Sequence, residues 1–150
     1  MHMNPNIRTH PPRKFKHFGC ALLALAMMGC GASKPKENVA PPQPGIPSRP
    51  ADIQGIYRTV HQGLLQLRGN GSFVMIIPEG PGPSGGNYTL SDGTLTVKTD
   101  TCGSAIGEYR VEVKGPPEPG QASIVFTPVN DDCGPRKQYL TIDPWVYANS

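Results

Sequence analysis

The chain has 150 residues and a formal net charge of +3, but this positive charge is concentrated near its N-terminus. From Cys30 onward, 10 Lys and Arg residues stand against 11 Asp and Glu residues, which leaves a net charge of −1. A nucleic-acid surface needs clustered basic residues, so we predict no nucleic-acid partner. His61 is the only histidine after Cys30, which is too few for a Cys₂His₂ zinc site.

Residues 1–29 have the pattern of a signal peptide. Three basic residues at positions 13–16 precede an apolar run over residues 18–28, which is too short to span a bilayer as a helix. The Gly29-Cys30 junction that follows resembles the lipobox of bacterial lipoproteins. This resemblance implies cleavage before Cys30 and a diacylglyceryl group on the Cys30 thiol, with palmitate as a typical acyl chain.

The same junction predicts that the protein lies in the cell envelope, held to a membrane through this lipid anchor. Because Gly31 rather than Asp follows Cys30, resemblance to the sorting rule of enteric lipoproteins favours the outer membrane if the organism is Gram-negative. The alternative is a secretory signal that is cut near Gly29 and leaves Cys30 unmodified.

Residues 30–50 form the predicted linker. Residues 31–50 contain six prolines, and Val39 and Ile46 are their only branched apolar side chains. Because such a segment can bury little apolar surface, its composition predicts an extended, disordered, Pro-rich tether. The remaining residues, 51–150, are predicted to form one domain.

The domain shows the period-two alternation of strands and no helical period. Tyr109, Val111 and Val113, for example, alternate with charged residues. Asn70-Gly71 and Asp92-Gly93 predict tight hairpin turns, because type I′ turns require positive φ at both central positions. We predict eight strands, over residues 54–60, 63–69, 72–78, 86–91, 94–99, 107–114, 121–128 and 137–142.

Three of these strands open on a Gly-x-Tyr sequence, at residues 55–57, 86–88 and 107–109. Glycine permits the close approach of another group, and the tyrosine two positions later shares its face of the strand. Eight short antiparallel strands with one apolar face predict an all-β fold, an up-and-down barrel closed on itself. Closure removes the edge strands that would otherwise pair with other chains.

Sequence blocks across residues 51–150 resemble small bacterial lipocalin-like domains. These blocks are Gly86–Leu90, Gly93–Val97, Asp100 with Cys102, Gly107–Tyr109, Asp132-Cys133, Arg136, Leu140 and Pro144-Trp145. Tyr57 stands where lipocalins carry the Trp of Gly-x-Trp in their first strand. The resemblance implies a lipocalin-like barrel in which Arg136 crosses the barrel end and stacks on Tyr57 or Trp145. A surface position for Arg136 is the alternative.

Two cysteines, Cys102 and Cys133, lie in the domain. An exported chain meets an oxidising compartment, which predicts that the two form a disulfide bond. Two free thiols or a metal-binding pair are the alternatives.

Two further clusters have more than one interpretation. Residues 130–134, Asn-Asp-Asp-Cys-Gly, could line a Ca²⁺ site or form a turn in which Asx side chains bond their own backbone. The predicted strand at 72–77 is apolar on both faces. Val74 and Ile76 are therefore predicted either to dock a partner or to be covered by the tether or by residues 144–147.

No catalytic constellation is recognisable, because His61 is the only histidine available to a Ser-His-Asp triad. We therefore predict a non-enzyme without metal or cofactor. The favoured hypothesis is a membrane-anchored binding module that holds a small apolar molecule or a peptide in the mouth of its barrel. The alternative is a structural or interaction lipoprotein, such as an envelope-assembly accessory or an inhibitor, whose barrel is filled. The two differ in whether the inward side chains leave a cavity.

Overall fold

Eight antiparallel strands close into a barrel in the computed structural model, which describes residues 39–78, 80 and 82–149. Each strand pairs with the next along the chain, and the last pairs with the first. The predicted fold class is therefore confirmed. The strands are β1 (Gly55–Arg58), β2 (Leu64–Leu67), β3 (Ser72–Ile76), β4 (Ser84–Ser91), β5 (Thr94–Thr99), β6 (Ile106–Lys114), β7 (Ser123–Asn130) and β8 (Trp145–Asn149).

The two predicted tight turns differ in conformation. Asp92 and Gly93 have φ angles of 48° and 73°, as predicted for the turn between β4 and β5. Between β2 and β3, only Gly71 has a positive φ, of 81°. The Asn70 side chain there accepts a hydrogen bond from the Ser72 backbone N–H at 3.0 Å, an Asx-type turn. The hairpin is present, but the prediction of positive φ at Asn70 is wrong.

The eighth predicted strand, over residues 137–142, is wrong. Those residues belong mainly to the helix α1 (Gly134–Thr141). Pro135 suits the first turn of a helix because its ring fixes φ at a helical value. Arg136 and Leu140, four residues apart on the same helix face, are both buried. No helix in the part of the chain that the structure describes is long and apolar enough to cross a membrane.

The eighth strand of the barrel is instead β8, at the C-terminal end. Trp145 and Tyr147 are buried, whereas Val146 and Ala148 are partly buried and Asn149 is exposed. This alternation has the period of a strand with one face in the core. β8 completes the barrel by pairing with β1 along most of its length, but it meets β7 at only Ser123 and Ile124.

The interior of the barrel is filled by side chains. An eight-stranded barrel is just wide enough for inward-facing side chains to occupy its centre. The inward-facing side chains of these strands are buried, among them Tyr57, Tyr88, Leu95, Val97, Tyr109, Val111 and Phe126. Leu140 reaches this core from α1, and a void of only about 10 Å³ remains beside it. The centre of the barrel therefore has no room for a ligand.

Part of the predicted linker packs against the barrel. β6 extends beyond its pairing with β5, which ends at Arg110. Gly45 occupies part of the edge that is left, because two backbone hydrogen bonds of 2.9 Å join it to Val113. The Gly93 N–H also donates to the Pro47 carbonyl at 2.8 Å. This segment, residues 45–47, is here called the strap, and it protects a strand edge. The packed domain therefore begins before the predicted boundary at Ala51.

We predict that Leu140→Ala destabilises the barrel by about 2–5 kcal/mol, because it removes the side chain with which α1 fills the interior. Chemical denaturation followed by circular dichroism measures this loss. Ile142→Ala is the matched control, since Ile142 lies just beyond α1 and is 53% exposed. Its truncation is expected to change the free energy of unfolding by less than about 0.5 kcal/mol. Equal losses in the two variants would contradict the role assigned to Leu140.

Candidate functional site

The connections at one end of the barrel form the candidate site. Because the strands run up and down, the β1–β2, β3–β4, β5–β6 and β7–β8 connections lie at the same end. The last of these contains α1, so this is called the α1 end. The opposite end carries a short 3₁₀ helix, Pro50–Ile53, and the strap that precedes it.

A buried carboxylate, that of Asp131, anchors α1 at this end. Arg136 donates to it from Nε at 2.7 Å and from Nη2 at 2.5 Å, a bidentate pair in which both side chains are almost fully buried. The Tyr109 hydroxyl on β6 donates to the same carboxylate. Arg136 Nη1 donates to the Ala105 carbonyl at 2.9 Å. One charge pair therefore joins α1 to β6 and to the loop before it.

The Asx-turn interpretation of residues 130–134 is confirmed. The Cys133 backbone N–H donates to Asp131 Oδ1 at 2.8 Å. Both carboxylate oxygens of Asp131 are thus engaged by protein donors. Among the described residues there is no group of three or more His, Cys, Asp or Glu side chains placed to hold a metal ion.

The electrostatics of this cluster favour the ionised pair. Burial alone would raise the pKa of Asp131, but hydrogen bonds from Arg136, Tyr109 and the Cys133 backbone outweigh it and lower the pKa below its usual value. The hydrogen bond to Asp131 raises the pKa of Arg136. Burial and then the adjacent carboxylate raise the pKa of Tyr109. Tyr109 is therefore a neutral donor beside two charges that cancel.

Two of the Gly-x-Tyr glycines make room for buried groups. A Cβ atom on Gly107 would lie 2.5 Å from Asp131 Oδ2 and 2.9 Å from Arg136 Nε. Only glycine therefore lets the charge pair lie this close to β6. A Cβ atom on Gly55 would lie 2.5 Å from a ring carbon of Tyr147. The close approach predicted for these glycines is confirmed at both positions and also at Gly86, where a Cβ atom would lie 2.0 Å from the Lys98 carbonyl oxygen.

The Cys102–Cys133 disulfide holds the start of α1 from a second side. The predicted bond is present, with the two Cα atoms 6.0 Å apart. Cys133 is the N-cap residue of α1, and Cys102 ends a short 3₁₀ helix, Asp100–Cys102, in the β5–β6 connection. Closing a loop of 31 residues contributes roughly 3–4 kcal/mol in the chain-entropy model.

Arg136 is only 2% exposed, so the surface alternative for this residue is wrong. It pairs with a carboxylate where stacking on Tyr57 or Trp145 was predicted. The Tyr57 hydroxyl donates to the Ile53 carbonyl at 2.7 Å, toward the opposite end of the barrel. Trp145 Nε1 donates to the Leu140 carbonyl at 3.2 Å. Trp145 therefore supports the end of α1.

An apolar cavity of about 340 Å³, here called the mouth cavity, lies beside α1. Its walls come from β3, β4, β5, the connections that follow β3 and β5, and α1. The lining residues are Met75, Ile77, Gly82, Ser84, Thr99, Thr101, Pro135, Arg136 and Tyr139. The charge on Arg136 is neutralised by Asp131, and the other lining residues that the structure describes are apolar or carry hydroxyl groups. The mouth cavity can therefore take an uncharged, mainly apolar guest.

A second depression of about 620 Å³, here called the loop groove, adjoins the mouth cavity. Ile77 and Tyr139 line both. The other walls are the β1–β2 connection, residues 59–63, with Pro78 and the outer side of α1. Val60 and Ile142 stand at this groove and are 79% and 53% exposed. The α1 end thus carries two neighbouring hollows that share the lining side chains of Ile77 and Tyr139.

The outer face of β3 is partly exposed. Phe73 and Met75 face the core, whereas Val74 is half-buried and Ile76 is 40% exposed. Residues 144–147 were one predicted cover for this face. From Trp145 onward they form β8, which lies between β1 and β7. Cover by that segment is therefore wrong, and both cover by the tether and a docking patch at Val74 and Ile76 stay predictions.

The sequence hypotheses missed most of the mouth cavity. Tyr139 fell in the wrongly predicted eighth strand, and Ser84 preceded the predicted start of β4. Asp131 lay in the polar cluster at residues 130–134. The one signal that could have linked it to Arg136 is that a buried arginine needs a carboxylate partner. Cys30, the predicted lipidation site, lies outside the described residues.

Comparisons with family models, with curated proteins and with solved structures find no match to this chain.

We predict that Arg136→Met destabilises the domain by about 3–5 kcal/mol, because it leaves the Asp131 carboxylate buried without its partner. The double variant Asp131→Leu with Arg136→Met should regain part of that loss, since no unpaired charge is left. Chemical denaturation of the wild type, of Arg136→Met, of the single variant Asp131→Leu and of the double variant measures the coupling. A double variant that loses the sum of the two single changes would contradict the pairing.

The Asp131–Arg136 pair predicts an acid limb in the pH profile of the free energy of unfolding, along which stability falls as the pH falls. The pKa of Asp131 is lower in the folded than in the unfolded chain, so its stabilisation is present above the unfolded value, about 3.9, and is lost as the pH falls through the folded value. The Arg136→Met variant should lose this limb. An unchanged pH profile in that variant would show that other carboxylates carry it.

Proposed function

We propose that the protein is a membrane-anchored lipoprotein of the cell envelope whose barrel is a non-catalytic binding module for a small apolar molecule. The observation that carries the proposal is the mouth cavity, about 340 Å³ in volume, at the end of a barrel whose centre is filled. The ligand therefore lies beside α1 rather than inside the barrel. Outer-membrane attachment is favoured if the organism is Gram-negative.

The size and chemistry of the mouth cavity support a small ligand rather than a folded partner. Small-molecule sites commonly enclose about 300–1,000 Å³, with apolar walls and a few polar groups. Here Met75, Ile77 and Tyr139 supply apolar surface, and Ser84 and Thr101 supply hydroxyl groups whose oxygens lie 3.3 Å apart. The disulfide and the Asp131–Arg136 pair hold the walls in place, as a preformed site requires.

One observation favours a second candidate function. The void inside the barrel is only about 10 Å³, which suits a structural or interaction lipoprotein that holds no ligand. In that case the exposed side of β3, with Val74 and Ile76, would dock an envelope protein. Failure of the mouth cavity to bind any apolar probe would favour this candidate.

We predict that Cys30 is lipidated. Metabolic labelling with an alkyne fatty acid should tag the wild type, because the short apolar run ends at Gly29-Cys30. The Cys30→Ala variant should not be labelled. Cys20→Ala is the matched control, since Cys20 lies within the predicted signal peptide and should have no effect. Labelling that persists in Cys30→Ala would refute the anchor.

We predict that Ser84→Leu fills the mouth cavity and weakens binding of the uncharged dye N-phenyl-1-naphthylamine by about tenfold or more. Fluorescence titration of the Cys30→Ala chain avoids dye uptake by lipid. Ser91→Leu is the control, because Ser91 is exposed at the other end of β4. Equal affinity in the two variants would place the dye elsewhere, and no binding by the wild type would reject the proposed function.

A further inference from the structure

Among the described residues, the mouth cavity and the loop groove share two lining side chains. Ile77 and Tyr139 line both hollows and are partly buried against the core. Tyr139 lies on α1, and Ile77 follows directly after β3. A ligand that passes between or over these two side chains would occupy both hollows. The α1 end can therefore hold a longer molecule than the mouth cavity alone.

The two hollows differ in chemistry along this path. The mouth cavity is mainly apolar, with Met75 and Pro135 among its walls. The loop groove adds amide and hydroxyl groups from Thr59, Gln62 and Gln138. Apolar surface at one end and hydrogen-bonding groups at the other match a molecule with an apolar tail and a polar head.

Neither hollow offers an unpaired charge among its described lining residues. Among the lining residues that the structure describes, which leave out residues 79 and 81, Arg136 is the only Lys, Arg, Asp or Glu, and Asp131 neutralises it. His61 lines the loop groove with its Nε2 3.4 Å from Asp143 Oδ2. A charged head group would lose hydration without gaining a free counter-charge. This arrangement favours an uncharged head.

We propose that the two hollows form one elongated site for a single-chain amphiphile with an uncharged head group. The tail occupies the mouth cavity and continues past Ile77 and Tyr139, and the head lies in the loop groove beside Gln62 and Gln138. This inference rests on the proposed function, because it names the class of ligand for the same site.

Trp145 provides a reporter for the loop groove. It is the single tryptophan of the chain. A Cβ atom on Gly63, which lines the groove, would lie 3.3 Å from Trp145 Cη2 and 3.3 Å from Ile77 Cδ1. The ring therefore lies next to the wall of the groove. A ligand in the groove should change the tryptophan emission, whereas a ligand confined to the mouth cavity should leave it nearly constant.

The test is a chain-length series in the full exported chain carrying Cys30→Ala. Hexyl, octyl, decyl and dodecyl maltoside, each below its micelle-forming concentration, are titrated by calorimetry and by Trp145 fluorescence. We expect affinity to rise about fourfold for each added CH₂ up to dodecyl, because the tail stays buried along both hollows. Gln138→Phe, which narrows the groove, should weaken dodecyl maltoside binding several-fold. Gln121→Phe, exposed at the opposite end, is the matched control.

Three outcomes would overturn the inference, and they separate it from the proposed function. Affinity that stops rising at octyl, with no response to Gln138→Phe, would restrict the ligand to the mouth cavity and leave the proposed function standing. Dodecyl sulfate or dodecyltrimethylammonium binding as tightly as dodecyl maltoside would reject the uncharged head. Binding of neither the maltosides nor N-phenyl-1-naphthylamine would reject the proposed function together with the inference. Thermal unfolding of each variant verifies that it is folded.

Discussion

The buried charge pair between Asp131 and Arg136 is the interaction on which the α1 end depends. The pair, with the hydroxyl of Tyr109, joins α1 to β6. Removing one member of such a pair leaves an unpaired buried charge, which costs far more than the intact pair contributes. The position of α1 then decides where Leu140 enters the core and where Tyr139 meets Ile77. The geometry of the candidate site therefore depends on a cluster whose role is structural. In the proposed binding mode, this cluster does not contact the head group of the ligand.

Filling of the barrel decides where binding can occur. Eight strands enclose a space that inward aromatic and aliphatic side chains occupy completely, and close packing resists opening it for a guest. Space for a ligand then exists only where regular pairing ends and connections of unequal length meet. The long β7–β8 connection supplies α1, and hollows remain between this helix and the shorter loops. The filled core also gives these hollows a rigid floor.

The two ends of the barrel are built differently. At one end the strap through Gly45 and Pro47 covers a strand edge with backbone hydrogen bonds. At the other, a disulfide and a charge pair hold a helix over the mouth. In the proposed function, the ligand binds at the α1 end.

The amino-acid sequence by itself determined the seven strands from β1 to β7, the turn at Asp92-Gly93 and the disulfide. It also determined the close approach of other groups to Gly55 and Gly107. These features follow from short-range patterns, from turn geometry and from the expectation that two cysteines pair if the chain is exported. It did not determine whether residues 137–142 or 145–149 form the eighth strand, because short apolar segments suit a helix or a strand equally. Only the tertiary structure decided this, since Arg136 and Leu140 become buried on one helix face once Asp131 and the core are in place. The tertiary structure alone also decided where the mouth cavity lies. A cavity is a gap between elements that are distant in the chain, and no local sequence pattern encodes the distance between Ile77 and Tyr139.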